Sequence, residues 1–584
     1  MLAWLGTFLL FVCVAHGSFE TTDAGFTMHA ARSLWHRGDS ALLTRQEGGA
    51  NLGEQGGAAY IKANERAGTR RCGKIGVDGL AYVWFPMGHV YLLTPVVPLG
   101  DAVGDWLPDA DQRLQQRTPM RTFVESTPVA TQGLMSMLVP TLCIATSLLL
   151  LYRIARELGA GGRDAVWSTL AIGLATQAFS VGREQLSDGP GLMLLLAALL
   201  PVVRIHRGTG TRATATWAGV MSGCAVLLRY QTALSVVVFA AIVALACRRR
   251  GCWRDLVAFV LGGAPLLLLF LGTNFFRFGD PFETGYPAIG EWFQADPLAG
   301  LGKILFGAGR GLMWCSPLLW LALPMAASWR QRVQLRWLAW VLFLTPVAIF
   351  STALGWQGGQ AWAIRYVTPG VVALCALVLP QTAPWRRFPR AWKVAVVAGC
   401  LVSLTSVVAP VRGQIQLMSQ ALAAHEQRAI AAGEMAAADK TIDPADVGGW
   451  HWRYSPLYRN WLYAWNSCVG GFEDEHGKPI DDSAHTVEAV YGVAAVAPAQ
   501  ALAPRHWADR RGRHLWWRFW GDLYGVSGLL LVLPFALLGS GCAWFGWRML
   551  ARDDRAVDAG FRTADSGVVG SAAADPHTET STDG

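Results

Sequence analysis

The sequence predicts an all-α polytopic membrane protein with about twelve membrane-spanning helices. Of its 584 residues, 53% are hydrophobic and 15% are charged, whereas a soluble domain carries about 25% charged residues. Apolar runs of about 15–25 residues recur along most of the chain, long enough to cross a bilayer. The arginines that contribute to a net charge of +8 lie in short clusters between these runs. This pattern is typical of cytoplasmic loops and not of a nucleic-acid-binding surface, so nucleic acid is not an expected partner.

The apolar runs place twelve candidate spans. They cover residues 1–17, 129–152, 166–182, 190–204, 215–229, 232–247, 255–275, 312–328, 337–354, 366–381, 391–410 and 519–545. The first run lacks the basic start of a cleaved signal peptide, so we expect it to be retained as a helix. No internal repeat is evident, which disfavours a transporter built from duplicated halves.

Basic residues between the spans predict their orientation. The five clusters are Arg153/Arg156/Arg163, Arg204/Arg207/Arg212, Arg248/Arg249/Arg250/Arg254, Arg330/Arg332/Arg336 and Arg386/Arg387/Arg390/Lys393. All five face the cytoplasm if both termini are inside and these positively charged loops follow the usual bias. A thirteenth span at residues 83–100 would put every cluster outside, so this stretch is predicted to be an interfacial or re-entrant helix.

The predicted organisation follows from this topology. Residues 1–410 form the main transmembrane module, and its first outer loop is 18–128. Residues 411–518 form a small extracytoplasmic domain, followed by a last span at 519–545. Residues 546–584 are polar and small, which predicts a disordered cytoplasmic tail.

Two carboxylates follow the first span at the predicted outer membrane surface. Glu20 and Asp23 begin the loop SFETTDAGFTMHAARSLWHRGD. A carboxylate there can accept a proton from a hydroxyl nucleophile, as general base catalysis requires. The alternative is structural: Thr22 or Asp23 caps the helix that carries Met28 and Leu34.

Four arginines lie on the predicted outer face, against the positive-inside bias. They are Arg183 in REQLSDGPG, Arg277 in NFFRFGDPFETGY, Arg310 in GAGRGLMWCSP and Arg365 in GWQGGQAWAIRY. Arginines beside glycines with exposed backbone N–H groups suit a phosphate at headgroup level. Interfacial anchoring by long side chains is the alternative for each of them.

These pieces, taken in order, resemble the GT-C superfamily of polyprenyl-phosphate-sugar-dependent membrane glycosyltransferases. The resemblance is to its protein O-mannosyltransferase-like and aminoarabinose-transferase-like members. It covers roughly residues 1–410 and rests on TTDAGFTMHAARSLWHRGD, GVDGLAYVWFPMGHVYLLTPVVPLG, FSVGREQLSDGP, RFGDPFETGY with GAGRGLMWCSP, and GWQGGQAWAIRYVTP. The last two pieces are the most specific combination. The chain has His89 where a polar amide is common in the family.

The resemblance implies a GT-C-type bundle with interfacial helices in the first outer loop and an active site on the outer face of a bacterial cytoplasmic membrane. It implies transfer of a sugar from a polyprenyl-phosphate donor to a glycan, lipid or protein acceptor, with Asp23 as catalytic base and Arg365 at the lipid phosphate. The residues expected to bind substrate are Glu20, Arg183, Asp188, Arg277, Arg310, Arg365 and Tyr366. If a divalent metal takes part, its expected ligands are Asp23 and Asp188.

Two other classes of protein stay open on the sequence. A polytopic lipid or solute transporter would carry charged residues in the middle of its spans. An inactive GT-C-fold subunit of envelope assembly would share the fold, and only the requirement for Asp23 separates it from the enzyme.

A disulfide between Cys72 and Cys468 is predicted. These are the two cysteines that the topology places well outside the membrane on the oxidising side, where thiols tend to pair. The bridge would hold the late outer loop, 411–518, over Asp23 as a lid or acceptor domain. The aromatic run from Trp450 to Trp465 in that loop suits stacking on a glycan or anchoring to lipid headgroups.

Overall fold

The computed structural model describes residues 1–17, 19, 21–42, 61–62, 65–66, 72–117, 130–328, 333–354, 362, 364–410, 455, 457, 459–462 and 513–552. These residues are almost entirely helical, and the one sheet among them is a two-stranded antiparallel hairpin. The predicted all-α class is therefore confirmed.

The elements before the main bundle contain the predicted first outer loop. They are α1 (Leu2–Cys13), α2 (Thr22–Arg37), β1 (Gly73–Ile75), β2 (Ala81–Val83), α3 (Met87–Leu93), α4 (Val96–Trp106) and α5 (Ala110–Arg117). The strands pair with Lys74 opposite Tyr82. Helices α3 and α4 have 7 and 11 residues, whereas a span needs about 20. The stretch 83–100 is thus divided into short helices, as an interfacial segment requires.

The bundle continues through sixteen further helices and three residues of 3-10 helix, Tyr230–Thr232. The first eight helices are α6 (Ala130–Ser136), α7 (Leu138–Glu157), α8 (Gly162–Leu174), α9 (Ala178–Val181), α10 (Asp188–Arg207), α11 (Arg212–Leu228), α12 (Ala233–Arg250) and α13 (Trp253–Phe278). The next eight are α14 (Ile289–Trp292), α15 (Pro297–Phe306), α16 (Leu312–Cys315), α17 (Leu319–Ser328), α18 (Val333–Phe350), α19 (Thr368–Thr382), α20 (Pro384–Arg387) and α21 (Pro389–Val408).

The carboxyl-terminal helices differ from the predicted last span. The run 519–545 is divided between α22 (Trp516–Tyr524) and α23 (Gly528–Arg552). Gly525 ends α22 in the left-handed region at φ +69°, a conformation that glycine adopts without steric cost. The spanning helix therefore begins at Gly528. Residues 546–552, which the sequence predicts to belong to the disordered tail, are helical.

Each of the twelve predicted spans contains a helix. Among the described residues, six helical segments are long and apolar enough to cross a bilayer: Ala130–Glu157 (α6 with α7), Asp188–Arg207, Tyr230–Arg250 (the 3-10 turn with α12), Trp253–Phe278, Pro389–Val408 and Gly528–Arg552. Five more apolar helices have 10–17 residues: Leu2–Cys13, Pro297–Phe306, Leu319–Ser328, Gln334–Phe350 and Thr368–Thr382. The chain is a multi-pass membrane protein, as predicted.

Helix α19 lies at the centre of the bundle, and α23 lies at its edge. Nearly every side chain of α19 is buried, as expected for a helix that is apolar on all sides. Most of α23 faces outward, but one face packs against α1. A Cβ atom at Gly6 would lie 2.0 Å from the backbone nitrogen of Ala543, and one at Gly546 would lie 2.1 Å from that of Ala3. These glycines allow the two antiparallel helices to approach closely.

Most of the predicted late domain, 411–518, lies outside the described residues. In its described part, the Ser455 hydroxyl donates to the carbonyl of Ala308 over 2.7 Å, and the Asn460 amide donates to that of Thr405 over 3.1 Å. These contacts join the late segment to the main bundle. Cys72 is half-buried before β1, but Cys468 is outside the described residues, so the disulfide stays a prediction.

Candidate active site

Asp23 lies in the first turn of α2 and does not cap it. The N-cap is Thr21, whose hydroxyl accepts a hydrogen bond from the backbone N–H of Ala24 over 3.1 Å. The alternative in which Thr22 or Asp23 caps this helix is therefore wrong. A carboxylate in the first turn is favoured by the positive end of the helix dipole. The Asp23 side chain retains 28% exposure, so its carboxylate is accessible for another role.

Arg365 is the partner of Asp23, although the two are 342 residues apart in sequence. An Nη2 nitrogen of Arg365 lies 3.0 Å from an Asp23 carboxylate oxygen. Arg365 lies three residues before the start of α19, and its guanidinium carbon lies 5.5 Å from the ring centroid of Tyr366. The Tyr366 ring in turn stacks on Phe350 at 4.5 Å. The structure thus brings Asp23, Arg365 and Tyr366 together where the ends of α2 and α19 meet.

A small polar cavity of about 30 Å³ adjoins this pair. Its polar lining includes Asp23, Thr27, His89, Ser187, Arg229, Gln231, Tyr286, Arg365 and Tyr366. This volume holds about two water molecules. A sugar ring therefore needs the surrounding segments to move apart, and the groups it would then meet are charged or hydrogen-bonding.

A second ion pair, between Asp188 and Arg229, lies beside the first. Asp188 is the first residue of α10, and Arg229 directly follows α11. The Asp188 side chain is only 2% exposed and that of Arg229 is 6% exposed. Arg229 lines the cavity, whereas Asp188 does not. Of the two carboxylates, Asp23 is therefore the one open to a substrate.

Two of the other predicted site arginines bind backbone carbonyls. Buried Arg183 donates through Nε to the carbonyl of Val14 over 2.9 Å and through Nη1 to that of Ser406. Arg277 donates to the carbonyl of Val83 over 3.0 Å. Each arginine joins the end of one helix to a distant segment, and neither lines the cavity.

Arg310 lies outside the cavity lining, in the turn between α15 and α16. It is close enough to Glu184 and Arg365 to interact with their charges. Glu20, the other carboxylate predicted to bind substrate, lies outside the described residues.

The two carboxylates predicted as metal ligands do not fit a divalent ion. Asp23 faces Arg365, and Asp188 faces Arg229. A cation would have to compete with a guanidinium group at each carboxylate. In the described ranges, the one group of three metal-ligand side chains is Cys247, Cys252 and Asp255, where α12 ends and α13 begins.

Four residues that shape the site are not among the predicted site residues. Tyr286 ends the quoted motif RFGDPFETGY and stacks on Trp84 at 4.9 Å, so the motif itself was the available signal. Burial, and then the charge of Arg229, lower the pKa of His89 to about 3. Glu184 accepts a hydrogen bond from the backbone N–H of Trp362 over 2.8 Å and so fixes the segment leading to Arg365. Arg229, the fourth residue, follows a helix with no motif around it.

Comparison with known proteins supports the same family. The family model for dolichyl-phosphate-mannose-protein mannosyltransferase matches residues 129–273, which confirms the resemblance to GT-C glycosyltransferases. The matched region contains Asp188 and Arg229 but neither Asp23 nor Arg365. No curated protein sequence matches the chain.

Two solved structures match much of the chain at low sequence identity. ArnT from Cupriavidus metallidurans, solved bound to undecaprenyl phosphate, is 14% identical with a TM-score of 0.43; the match covers 89% of this chain and 76% of ArnT. The oligosaccharyltransferase from Archaeoglobus fulgidus, in its apo form, is 10% identical with a TM-score of 0.36; the match covers 70% of this chain and 55% of that enzyme.

Proposed function

We propose that the chain transfers a sugar from a polyprenyl-phosphate donor to an acceptor hydroxyl on the outer face of a bacterial cytoplasmic membrane. The observation that carries the proposal is the accessible Asp23–Arg365 pair beside a polar cavity at the end of an apolar bundle. A carboxylate suits the hydroxyl proton, and a guanidinium suits the phosphate. The positive-inside rule puts this end of the bundle outside.

The proposed reaction needs one base and one phosphate ligand. The acceptor oxygen attacks the anomeric carbon, and the bond between that carbon and the phosphate oxygen breaks. The hydroxyl proton passes to Asp23, while polyprenyl phosphate leaves with one more negative charge than it had in the donor. Arg365 stabilises this developing charge, because a preorganised cation acts most strongly where charge appears in the transition state.

Asp23 and Arg365 pair with each other when no donor is bound, and the donor phosphate would replace Asp23 as the partner of Arg365. In this pair the Asp23 carboxylate lies 3.0 Å from the Arg365 guanidinium. A donor phosphate would compete for that guanidinium and weaken its contact with Asp23. The Asp23 carboxylate would then be available to accept the proton of the acceptor hydroxyl.

The remaining polar groups of the cavity suit a sugar. His89 is uncharged at neutral pH, because its pKa is about 3, and its ring nitrogens can exchange hydrogen bonds with hydroxyl groups. Tyr286 and Gln231 offer further hydrogen-bonding groups in the same wall. We expect these three side chains to face the transferred sugar, while Arg365 faces the phosphate.

The transporter alternative is less favoured by the position of the buried charges. Asp188 and Arg229 lie at the first turn of α10 and just after α11, whereas a translocation path calls for charges near mid-span. An inactive subunit with this fold is excluded only by measured turnover.

The test is transfer by the full-length protein in lipid nanodiscs. The protein is given a panel of polyprenyl-phosphate sugars with a hydroxyl acceptor, and release of polyprenyl phosphate is measured by mass spectrometry. We expect release with at least one donor and no release by the Asp23→Asn variant. Release that is equal in both proteins, or passage of intact donor between leaflets without release, would contradict the proposal.

A further inference from the structure

A large apolar groove lies between α1, α8 and α23, away from the candidate active site. Its volume is about 960 Å³, at the upper end of the range for ligand pockets. Aliphatic and aromatic side chains such as Leu10, Leu148, Leu170 and Trp547 dominate its lining. Such a lining suits hydrocarbon chains.

One end of the groove carries three arginines. Arg163 comes from the first turn of α8, and Arg548 and Arg552 come from the last turns of α23. All three are exposed, and among the described residues none of them forms an ion pair. Arg548 lies 4.7 Å over the ring of Trp544, which leaves its guanidinium edge available to an anion. The groove therefore combines an apolar length with a cationic end.

The cationic end is opposite to the Asp23 end. The carboxyl end of α1 is the end nearer to Asp23 in the chain. Helix α23 runs antiparallel to α1, so its carboxyl end packs against the amino end of α1, where Gly546 contacts Ala3. A phosphate bound by these three arginines is therefore separated from one bound by Arg365 by the thickness of the bundle. The predicted orientation puts the three arginines in the cytoplasmic leaflet.

We propose that this groove binds one anionic diacyl phospholipid of the cytoplasmic leaflet. Its phosphate would lie between the guanidinium groups of Arg163, Arg548 and Arg552, and its acyl chains would follow the apolar lining. Trp167 and Trp544, which are 50% and 62% exposed, line the groove. Tryptophans at this level suit the membrane–water interface.

Charge complementarity favours an anionic lipid over a zwitterionic one. A basic residue near an anionic membrane surface contributes about 1 kcal/mol. Three arginines that form no ion pair among the described residues should thus favour phosphatidylglycerol over phosphatidylcholine by about 100-fold. The polyprenyl donor is not the expected occupant, because its phosphate belongs near Arg365 at the other end.

The experiment is lipid titration of the full-length protein by native mass spectrometry, with phosphatidylglycerol and phosphatidylcholine compared in the same detergent. We expect one tightly retained phosphatidylglycerol. The triple variant Arg163→Gln/Arg548→Gln/Arg552→Gln should lose the preference of about 100-fold. The matched control Arg248→Gln/Arg249→Gln/Arg250→Gln removes three exposed arginines from the same predicted face and should keep it.

A second variant separates groove binding from general attraction to the surface. Leu170→Trp narrows the groove and leaves the arginines in place, so it should also release the lipid. Retention by Leu170→Trp, or equal losses in the two triple variants, would overturn the proposal. One-for-one displacement of phosphatidylglycerol by polyprenyl phosphate would do the same, because the groove would then belong to the donor.

Discussion

The two carboxylate–guanidinium pairs near the cavity have the same chemistry in different surroundings. Asp23 and Arg365 retain 28% and 15% of their side-chain exposure, whereas Asp188 and Arg229 retain 2% and 6%. A partly exposed pair can exchange partners with a substrate. A buried pair cannot, because separating its members leaves an uncompensated charge in an apolar setting.

The comparison teaches that exposure, more than residue type, separates a catalytic candidate from a structural one here. Both aspartates lie in the first turn of a helix, and both follow short segments on the predicted outer face. We therefore assign the Asp188–Arg229 pair to holding α10 against α11, and the Asp23–Arg365 pair to chemistry. The following predictions test that division.

The largest expected effect is on stability. Arg229→Ala leaves Asp188 buried without its partner and should lower the free energy of unfolding by about 3–5 kcal/mol. The double variant Asp188→Leu/Arg229→Met should recover most of this loss, because apolar residues can replace a buried pair. The measurement is denaturant unfolding in mixed micelles. If Arg229→Ala is as stable as the native chain, the pair is not structural.

Asp23→Asn should lower turnover by about 100-fold or more and leave stability nearly unchanged. The amide keeps the shape of the carboxylate but cannot accept the hydroxyl proton. Initial rates of polyprenyl phosphate release at saturating donor give the comparison. Glu20→Gln is the comparison, and we expect it to keep more turnover than Asp23→Asn, because Glu20 is predicted to bind substrate and not to take the proton. The opposite result, an active Asp23→Asn and an inactive Glu20→Gln, would show that Glu20 is the base.

Arg365→Lys should weaken donor use by about tenfold, because it keeps the charge but loses the planar fork that matches a phosphate. The change should appear in the KM for donor and in the rate. Arg113→Lys is a matched control on the predicted outer side, since Arg113 also lies over a tyrosine ring, that of Tyr524 at 4.9 Å. Unchanged donor affinity in Arg365→Ala would leave Arg365 as an interfacial anchor.

The smallest effect at neutral pH is expected from His89→Gln, which should matter for stability only in acid. His89 is neutral in the folded chain with a pKa of about 3, and its ordinary value is about 6.5. Between these pH values the imidazole is protonated in the unfolded chain but not in the folded one, so the free energy of unfolding falls as pH drops from 6.5 toward 3. His89→Gln should make this fall shallower by about 1.4 kcal/mol per pH unit.

His29 provides the comparison for that measurement. Its pKa is also lowered to about 3 by burial, but it does not line the cavity. His29→Gln should change the acid slope of stability in the same way and leave the KM for the sugar donor unaltered. An equal change of KM in both variants would argue against a sugar contact by His89.

The fold was predictable because its signals are local. Each of the twelve apolar runs predicted to span contains a helix, and charge parity predicts that 83–100 does not span. The apolar helix Pro297–Phe306 lies in a predicted loop. The predicted last span begins nine residues before α23, because the aromatic helix α22 is nearly as apolar as a span. Its packing against the end of α1 distinguishes α22 from a span: the Trp516 indole donates to the carbonyl of Val12 over 2.7 Å.

The site was predictable in its residues but not in its pairings. Motifs drew attention to Asp23, Asp188 and Arg365. Nothing local shows that Arg365 meets Asp23 or that Arg229 meets Asp188, since these contacts depend on how distant helix ends pack. For the same reason the motif around Arg277 does not show that its guanidinium donates to the carbonyl of Val83 at the end of β2.

The glycine contact between α1 and α23 has a consequence for the order of synthesis. The helix that is translated early must dock against one that is translated about 500 residues later, which at cellular rates is a wait on the order of a minute. Until then Gly6 and the rest of that face of α1 have only lipid, or another helix, beside them. The groove between α1, α8 and α23 likewise comes into existence only as translation ends. A bulky residue at Gly6 should therefore leave insertion of the middle helices intact and prevent the final closing step.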